Sequence, residues 1–338
     1  MSTTTQVKAT SQKPNGSSAP TKKAQHPGGG ARADNWVDRY VPESWQPYIQ
    51  LARVNPPLAV LLIYFPHVFG AIYGGIVTRA APEQTLKVLA ILAGGSFFFS
   101  NAAHAWDDWA DVPIDRLIPR TQKRPIVRGA VSPNAALVFC AAQGALAAAF
   151  LLPLPPRTAV YAAGTIVGTL YYPFAKRHIP CPQVVLGYTL ANAIAVGAAA
   201  MGADPLESSA VPLMILASGL WSVIYDTIYG SIDMQDDIRL GVGNTAVLFG
   251  SAIKPWLSLF LVILVAALGA AGQVAGFGTA YHVISMLGAG LPIGAMIRYV
   301  KLQDAYSCWW WFTNAFNFVG FSVTIALLTE YVPLVLEG

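Results

Sequence analysis

The chain has 338 residues, 54% of them hydrophobic and only 11% charged, where an ordinary soluble domain carries roughly a quarter charged residues. That balance excludes a typical soluble fold and points to a lipid bilayer. The formal net charge of +4 reads as membrane topology and anion binding, and gives no case for nucleic acid.

Residues 1–35 are rich in Ser, Thr, Lys, Gly and Pro with almost no large apolar side chain, which predicts a disordered tail. The tail lacks the apolar run of a secretory signal. Its first 33 residues are free of acid, as mitochondrial presequences tend to be, but they carry a single arginine, Arg32, and no amphipathic period. Residues 36–338 are expected to form one membrane-embedded domain. Its first stretch, Trp36 to Gln50, mixes Trp, Tyr, Pro and charge and suits a short element lying on the membrane surface.

Spans follow from the runs that lack Asp, Glu, Lys and Arg, since a crossing helix needs about 20 mostly apolar residues. Pro57–Val77 and Lys87–Trp106 give the first two. The interval from Arg128 to Arg157 gives a third, Thr158–Phe174 a shorter fourth, and the intervals Arg177–Asp204 and Glu207–Asp226 the fifth and sixth. Lys254–Arg298 is long enough for two spans, divided at the turn around Gly272–Gly278, and Asp304–Glu330 supplies the last. Nine spans put the chain ends on opposite sides, with twelve Lys and Arg on the N-terminal side against three, Arg79, Lys87 and Arg157, on the other. That asymmetry supports the count and an N-terminus facing the cytosol or its equivalent. Cys140, Cys181 and Cys308 are scattered and odd in number, so they read as small apolar residues.

The chemistry is concentrated in two acidic segments at matching points after the second and sixth spans. In the first, Asp107, Asp111 and Asp115 recur every four residues and share one face of a helix. Like charges so placed repel one another, so something positive belongs among them. Pro113 requires the helix to bend or restart. The second segment holds Asp226, Asp233, Asp236 and Asp237. Hard oxygen ligands without accompanying His or Cys select Mg²⁺, and two separate carboxylate clusters suggest a polyphosphate bridging them. Arg53, Lys123, Arg124, Lys176, Arg177 and Arg239 fall on the same side and can contact diphosphate oxygens. A solvated acidic loop is the competing reading of these aspartates, and for Asp108, Asp226 and Asp236 a helix cap is another; ionisable residues beside spans are costly and argue for function. Tyr172 can pack or can line a cation-stabilising pocket.

These residues resemble the motifs of the UbiA superfamily of intramembrane prenyltransferases. Asp107-Asp108 through Asp111 and Asp115 is similar to that family's first motif, and Arg120-Thr121 through Arg124-Pro125 to the stretch that follows it. Tyr225-Asp226, Tyr229, Asp233, Asp236-Asp237 and Gly241 match the second motif, and Tyr172-Pro173 through Lys176-Arg177, with Leu186-Gly187, an intervening block. Asp107 stands where the family has Asn, Gly243-Asn244-Thr245 replaces a usual Lys-Ser-Thr, and a family Trp is replaced near Asn192, which places the acceptor pocket in question. The likeness is nearest to the fungal secondary-metabolite branch, which prenylates polyketide-derived aromatics in meroterpenoid biosynthesis.

The resemblance implies an all-α membrane protein of about nine helices around a central cavity open to lipid. It further implies Mg²⁺ held by Asp107, Asp111 and Asp115 and by Asp233 and Asp237, with an isoprenyl diphosphate, farnesyl being the best guess, gripped by the basic residues. The allylic cation then alkylates an aromatic ring in an endomembrane such as the ER or Golgi. Two alternatives stand beside this: a mitochondrial 4-hydroxybenzoate polyprenyltransferase of ubiquinone biosynthesis, and a cation transporter whose aspartates line a permeation path.

Overall fold

The computed structural model describes residues 36–55 and 58–337; the tail expected over 1–35 lies outside the described residues. Every regular element among them is helical. We label the long helices α1 (Leu58–Thr78), α2 (Pro82–Ala110), α3 (Pro133–Ala149), α4 (Pro156–Ala175), α5 (Pro182–Ala200), α6 (Ala210–Gly230), α7 (Ile253–Ala275), α8 (Thr279–Tyr299) and α9 (Ala305–Leu336). They fall where the charge-free runs place them. Seven segments are long and apolar enough to cross a membrane; of the other two, α3 has 17 residues and α4 has 20, interrupted by Pro173 near its end. The protein is an integral membrane protein.

Alpha-helices suit these runs because, in lipid, each backbone N–H and C=O must be satisfied within the segment. The runs are rich in Ala and Gly, which lets backbones approach where no hydrophobic force drives helices together. The crossing of α1 and α5 depends on this. A Cβ on Gly70 would lie 1.9 Å from the Ile194 carbonyl oxygen, and one on Gly197 would lie 2.3 Å from that of His67. The second half of α5, Ala193–Ala200, is buried on every side.

Around this pair, α6 packs on the first half of α5 and on α7, while α8 joins α7 to α9, which returns to α1. The seam is filled by aromatic rings: Trp221 of α6 stacks on Phe316 of α9 at 4.7 Å, and Phe65 of α1 meets Phe321 edge-on at 5.2 Å. On the other flank α3 packs on α2, while α4 packs on α5. Between α2, α3 and α4 lies a cavity of about 310 Å³.

Candidate active site

The first acidic segment forms because α2 ends there. Ala110 is its last residue, and a one-turn helix, Val112–Asp115, restarts with Pro113 in its first turn, where proline's missing N–H costs nothing. Asp111 N donates to the Asp107 carbonyl and Asp115 N to that of Asp111, both at 2.9 Å, so the four-residue spacing survives the break. Carboxylates at a helix C-terminus oppose the helix dipole, and the fold surrounds them with cations. Arg124 reaches Asp115 at 2.6 Å and Asp108 at 3.0 Å; Arg53 reaches Asp108 at 2.8 Å and Asp107 at 3.6 Å. Lys176, just past α4, hydrogen-bonds Asp111 and lies 3.8 Å from Asp107. Arg53 holds a left-handed backbone, φ 51°, which is strained for a residue with a side chain. The two ion pairs from its guanidinium hold it there.

The second segment begins with Asp226 on α6. Asp233 precedes a short helix, Met234–Leu240, that carries Asp236 and Asp237. Asp233 receives a two-pronged ion pair from Arg120, whose Nε donates at 2.8 Å. Arg120 belongs to the loop after the first segment, so this pair joins the two halves of the bundle, and the acidic segments stand at one end of it. Asp237 accepts from Asn244 Nδ2 at 2.7 Å. Asn244 Oδ1 in turn accepts from Ala246 N and from Gln183 Nε2, while Gln183 Oε1 accepts from Thr245 N. In the same loop, Gly243 N donates to the Lys176 carbonyl at 2.6 Å, and a Cβ at 243 would sit 1.9 Å from the Ile179 carbonyl oxygen.

Charge in the site is unbalanced. Burial, then Asp107 beside it, pushes the Asp111 carboxyl up to about 7 although Lys176 pulls the other way. Burial likewise raises Asp237 to about 6, against the Asn244 hydrogen bond, Lys176 and Arg120. Lys176 therefore acts on carboxylates of both segments. Burial disfavours its own charge, but Asp107 and Asp111 outweigh that and raise its pKa.

The basic residues singled out from sequence divide into two groups. Arg53, Arg124 and Lys176 face the carboxylates. Arg177 instead donates to the Ala110 carbonyl, capping the end of α2, and covers the Phe174 ring at 5.2 Å. Arg239 pairs with Asp236 at 2.8 Å at the exposed rim and donates to the Leu117 carbonyl. Lys123 is exposed, and none of the ion pairs among the described residues includes it. Arg120, three residues earlier, is the residue that sequence reasoning left out of the site; its signal was the same basic stretch. Tyr172 lies beneath the Lys176 ammonium, 5.6 Å from the ring centre. Asn192 is at the break within α5, its Nδ2 donating to the Tyr161 carbonyl at 2.8 Å and to Thr165 Oγ1 at 3.0 Å, so it staples α5 to α4.

Two carboxylate clusters, each paired with arginines at one end of an apolar bundle, agree with the motif likeness, and comparison with known proteins decides the family. Residues 67–321 match the UbiA prenyltransferase family. The chain belongs to that family. UbiA relatives include prenyltransferase stbC of Stachybotrys bisbyi, 33% identical over 83% of this chain and 87% of the relative. Another is the mitochondrial 4-hydroxybenzoate polyprenyltransferase of Schizosaccharomyces pombe, 29% identical over 88% of this chain and 83% of that one. Among solved structures, a UbiA homolog from Archaeoglobus fulgidus bound to GPP and Mg²⁺ shares the fold, with a TM-score of 0.60 and 19% identity over 85% of this chain and 99% of its own. The protein is a UbiA-type membrane prenyltransferase.

Proposed function

We propose that the protein transfers a short prenyl group, farnesyl in the first instance, from an isoprenyl diphosphate to a phenolic, polyketide-derived acceptor of secondary metabolism. The observation that carries this reading is the Arg120–Asp233 pair, which ties the loop after the first acidic segment to the second, beside the Lys176 ammonium bonded to Asp111. Metal fit rests on two buried oxygens. Asp107 Oδ1 and Asp111 Oδ1 have no hydrogen-bond partner; the Lys176 ammonium stands 3.8 Å from the first, too far for a hydrogen bond, and a bound cation would satisfy both. Among the described residues no three acidic or imidazole groups form a ready-made cage; Mg²⁺ needs only one or two carboxylates, with phosphate and water completing its shell.

Asp107 and Asp111 would hold one Mg²⁺, with Asp115, expected beside them, bonded to Arg124 and able to join only on leaving it; Asp233 and Asp237 would hold a second. Bound there, Mg²⁺ supplies positive charge against the diphosphate as it leaves. The side chains do the rest. Arg53, Arg120, Arg124 and Lys176 can exchange carboxylate partners for diphosphate oxygens, and arginine's planar fork suits that exchange. The allylic C–O bond breaks, its electron pair leaving with diphosphate. Tyr172, whose ring already faces an ammonium, can face the allylic cation in the same way. The apolar bundle excludes water, so the cation is taken by the electron-rich acceptor ring, which then loses a proton to the released diphosphate or to Asp108 or Asp226.

Membranes supplied with Mg²⁺, geranyl, farnesyl or geranylgeranyl diphosphate and a panel of phenolic acids would test this by product mass. Asp111→Ala and Asp233→Ala should abolish transfer; substantial residual turnover would overturn the assignment. The Schizosaccharomyces pombe relative favours one second reading, 4-hydroxybenzoate polyprenylation in mitochondria. An endomembrane location for a tagged chain, and failure to rescue a quinone-deficient cell, would exclude it.

A further inference from the structure

The cavity between α2, α3 and α4 has a direction. On α2 its lining residues include Leu92, Ser96, Phe99, Ala103 and Trp106, a continuous three-and-four-residue stripe. One step further along the same face come Asp107 and Asp111. On α4 the lining residues Ala162, Thr165 and Thr169 continue, at the same spacing, to Tyr172 and Lys176. Both helices thus lead from the cavity to the ionic site, and α2 rises about 18 Å between Gly94 and Trp106.

Its walls suit a hydrocarbon. Ala141, Gly144, Ala147 and Ala148 form the α3 side, and the polar groups that reach the cavity are occupied elsewhere: His67 Nδ1 bonds the Ile63 carbonyl at 2.9 Å, Thr169 donates to the Thr165 carbonyl, and Thr165 accepts from Asn192. At the end away from the aspartates the side chains become large. Phe150, in the turn that ends α3, lays its ring over the Gly94–Gly95 notch in α2, so close that a Cβ on Gly94 would lie 2.3 Å from it. Phe98 packs on that ring at 5.7 Å, and Leu151 and Leu154 close the floor beside it.

We propose that this cavity receives the prenyl chain and that Phe150 is the floor that limits its length. The inference rests on the diphosphate reading of the aspartate site. A chain anchored at Asp107 and Asp111 runs down the small-residue wall and stops against the Phe150 ring. At about 310 Å³ the cavity is at the small end of ligand pockets, roughly 300–1,000 Å³, so each added isoprene unit meets the floor.

The test uses the full chain in membranes with Mg²⁺ and prenyl diphosphates of two, three and four isoprene units. Phe150→Ala should shift relative kcat/KM toward the longer donor by about tenfold or more, as one or more methylenes in an apolar pocket do. Ala147→Phe should shift it toward the shorter. An unchanged length ranking in these active variants overturns the proposal. Should Phe150→Ala fail to fold, Ala147→Phe and a binding readout decide. Cys140 lines the cavity, and its maleimide labelling, followed on its own peptide by mass spectrometry, should be slowed by a prenyl thiolodiphosphate and not by inorganic diphosphate. Equal labelling with and without the prenyl compound also overturns it. Protection of Cys140 in a protein that prenylates none of the phenolic acceptors would sink the acceptor reading and leave the cavity assignment standing.

Discussion

Asn244 holds Asp237 by a 2.7 Å hydrogen bond from Nδ2, while its own Oδ1 accepts from Ala246 N and starts the helix Thr245–Phe249. The side chain therefore orients a carboxylate proposed as a metal ligand and caps a helix at once. Partners that orient metal ligands are worth about 10–100-fold in metal affinity. Asn244→Ala should raise the Mg²⁺ concentration needed for half-maximal transfer by that order. Asn244→Asp, which keeps the cap and sets a carboxylate against Asp237, should raise it as well. An unchanged Mg²⁺ titration in both would show that the contact does not matter to the site.

Arg120 and Asp233 have side chains only 9% and 17% exposed. Removing one member of such a pair leaves an uncompensated buried charge, at a cost of about 3–5 kcal/mol. Arg120→Ala should lower the unfolding temperature in detergent and abolish transfer. Arg120→Lys should recover much of the stability and little of the activity, because an ammonium cannot reproduce the two-pronged contact. Equal recovery of both would count against a role in gripping diphosphate.

Lys176 and Lys123 offer a paired comparison. Lys176→Ala removes an ammonium that bonds Asp111 and also lowers the pKa of Asp237, and the expected loss in kcat/KM is about 100-fold or more. Lys123→Ala alters an exposed side chain and should stay within about twofold, the usual range for surface substitutions. Steady-state kinetics on the two variants would reverse this assignment if the losses were similar.

At the crossing of α1 and α5 the prediction concerns folding alone. Gly70→Leu drives a side chain into the Ile194 backbone, where no rotamer relieves the clash, and overpacking of this kind costs roughly 1–3 kcal/mol or more. The variant should lose monodisperse protein on size-exclusion chromatography, whereas Gly144→Ala, at an open position, should not.

The spans were readable in the sequence because charge is so costly in hydrocarbon that its absence marks them, and Pro113 announced the restart after α2. The convergence of the two acidic segments followed from their matching positions. Which cation faces which carboxylate did not follow. Arg120 and Lys123 are three residues apart in one basic stretch, and only the path of the loop over residues 116–131 turns the first inward and the second out. The roles of Gln183 and Asn244 escaped the sequence for a related reason: neutral amides carry no charge pattern, and their use depends on α5 and the loop after α6 meeting in space. Asn192 stood out only as the neighbourhood where the resemblance has a Trp, and its partners, Tyr161 and Thr165, lie on another helix.

Gly243 bears on how this chain can change over time. Its backbone is clasped to the carbonyl of Lys176 with no room for even a methyl group. A lysine placed at 243 would pry the clasp open and disturb the Lys176 ammonium next door. Any larger residue at 243 therefore needs a second, compensating replacement that moves the Ile179 carbonyl away.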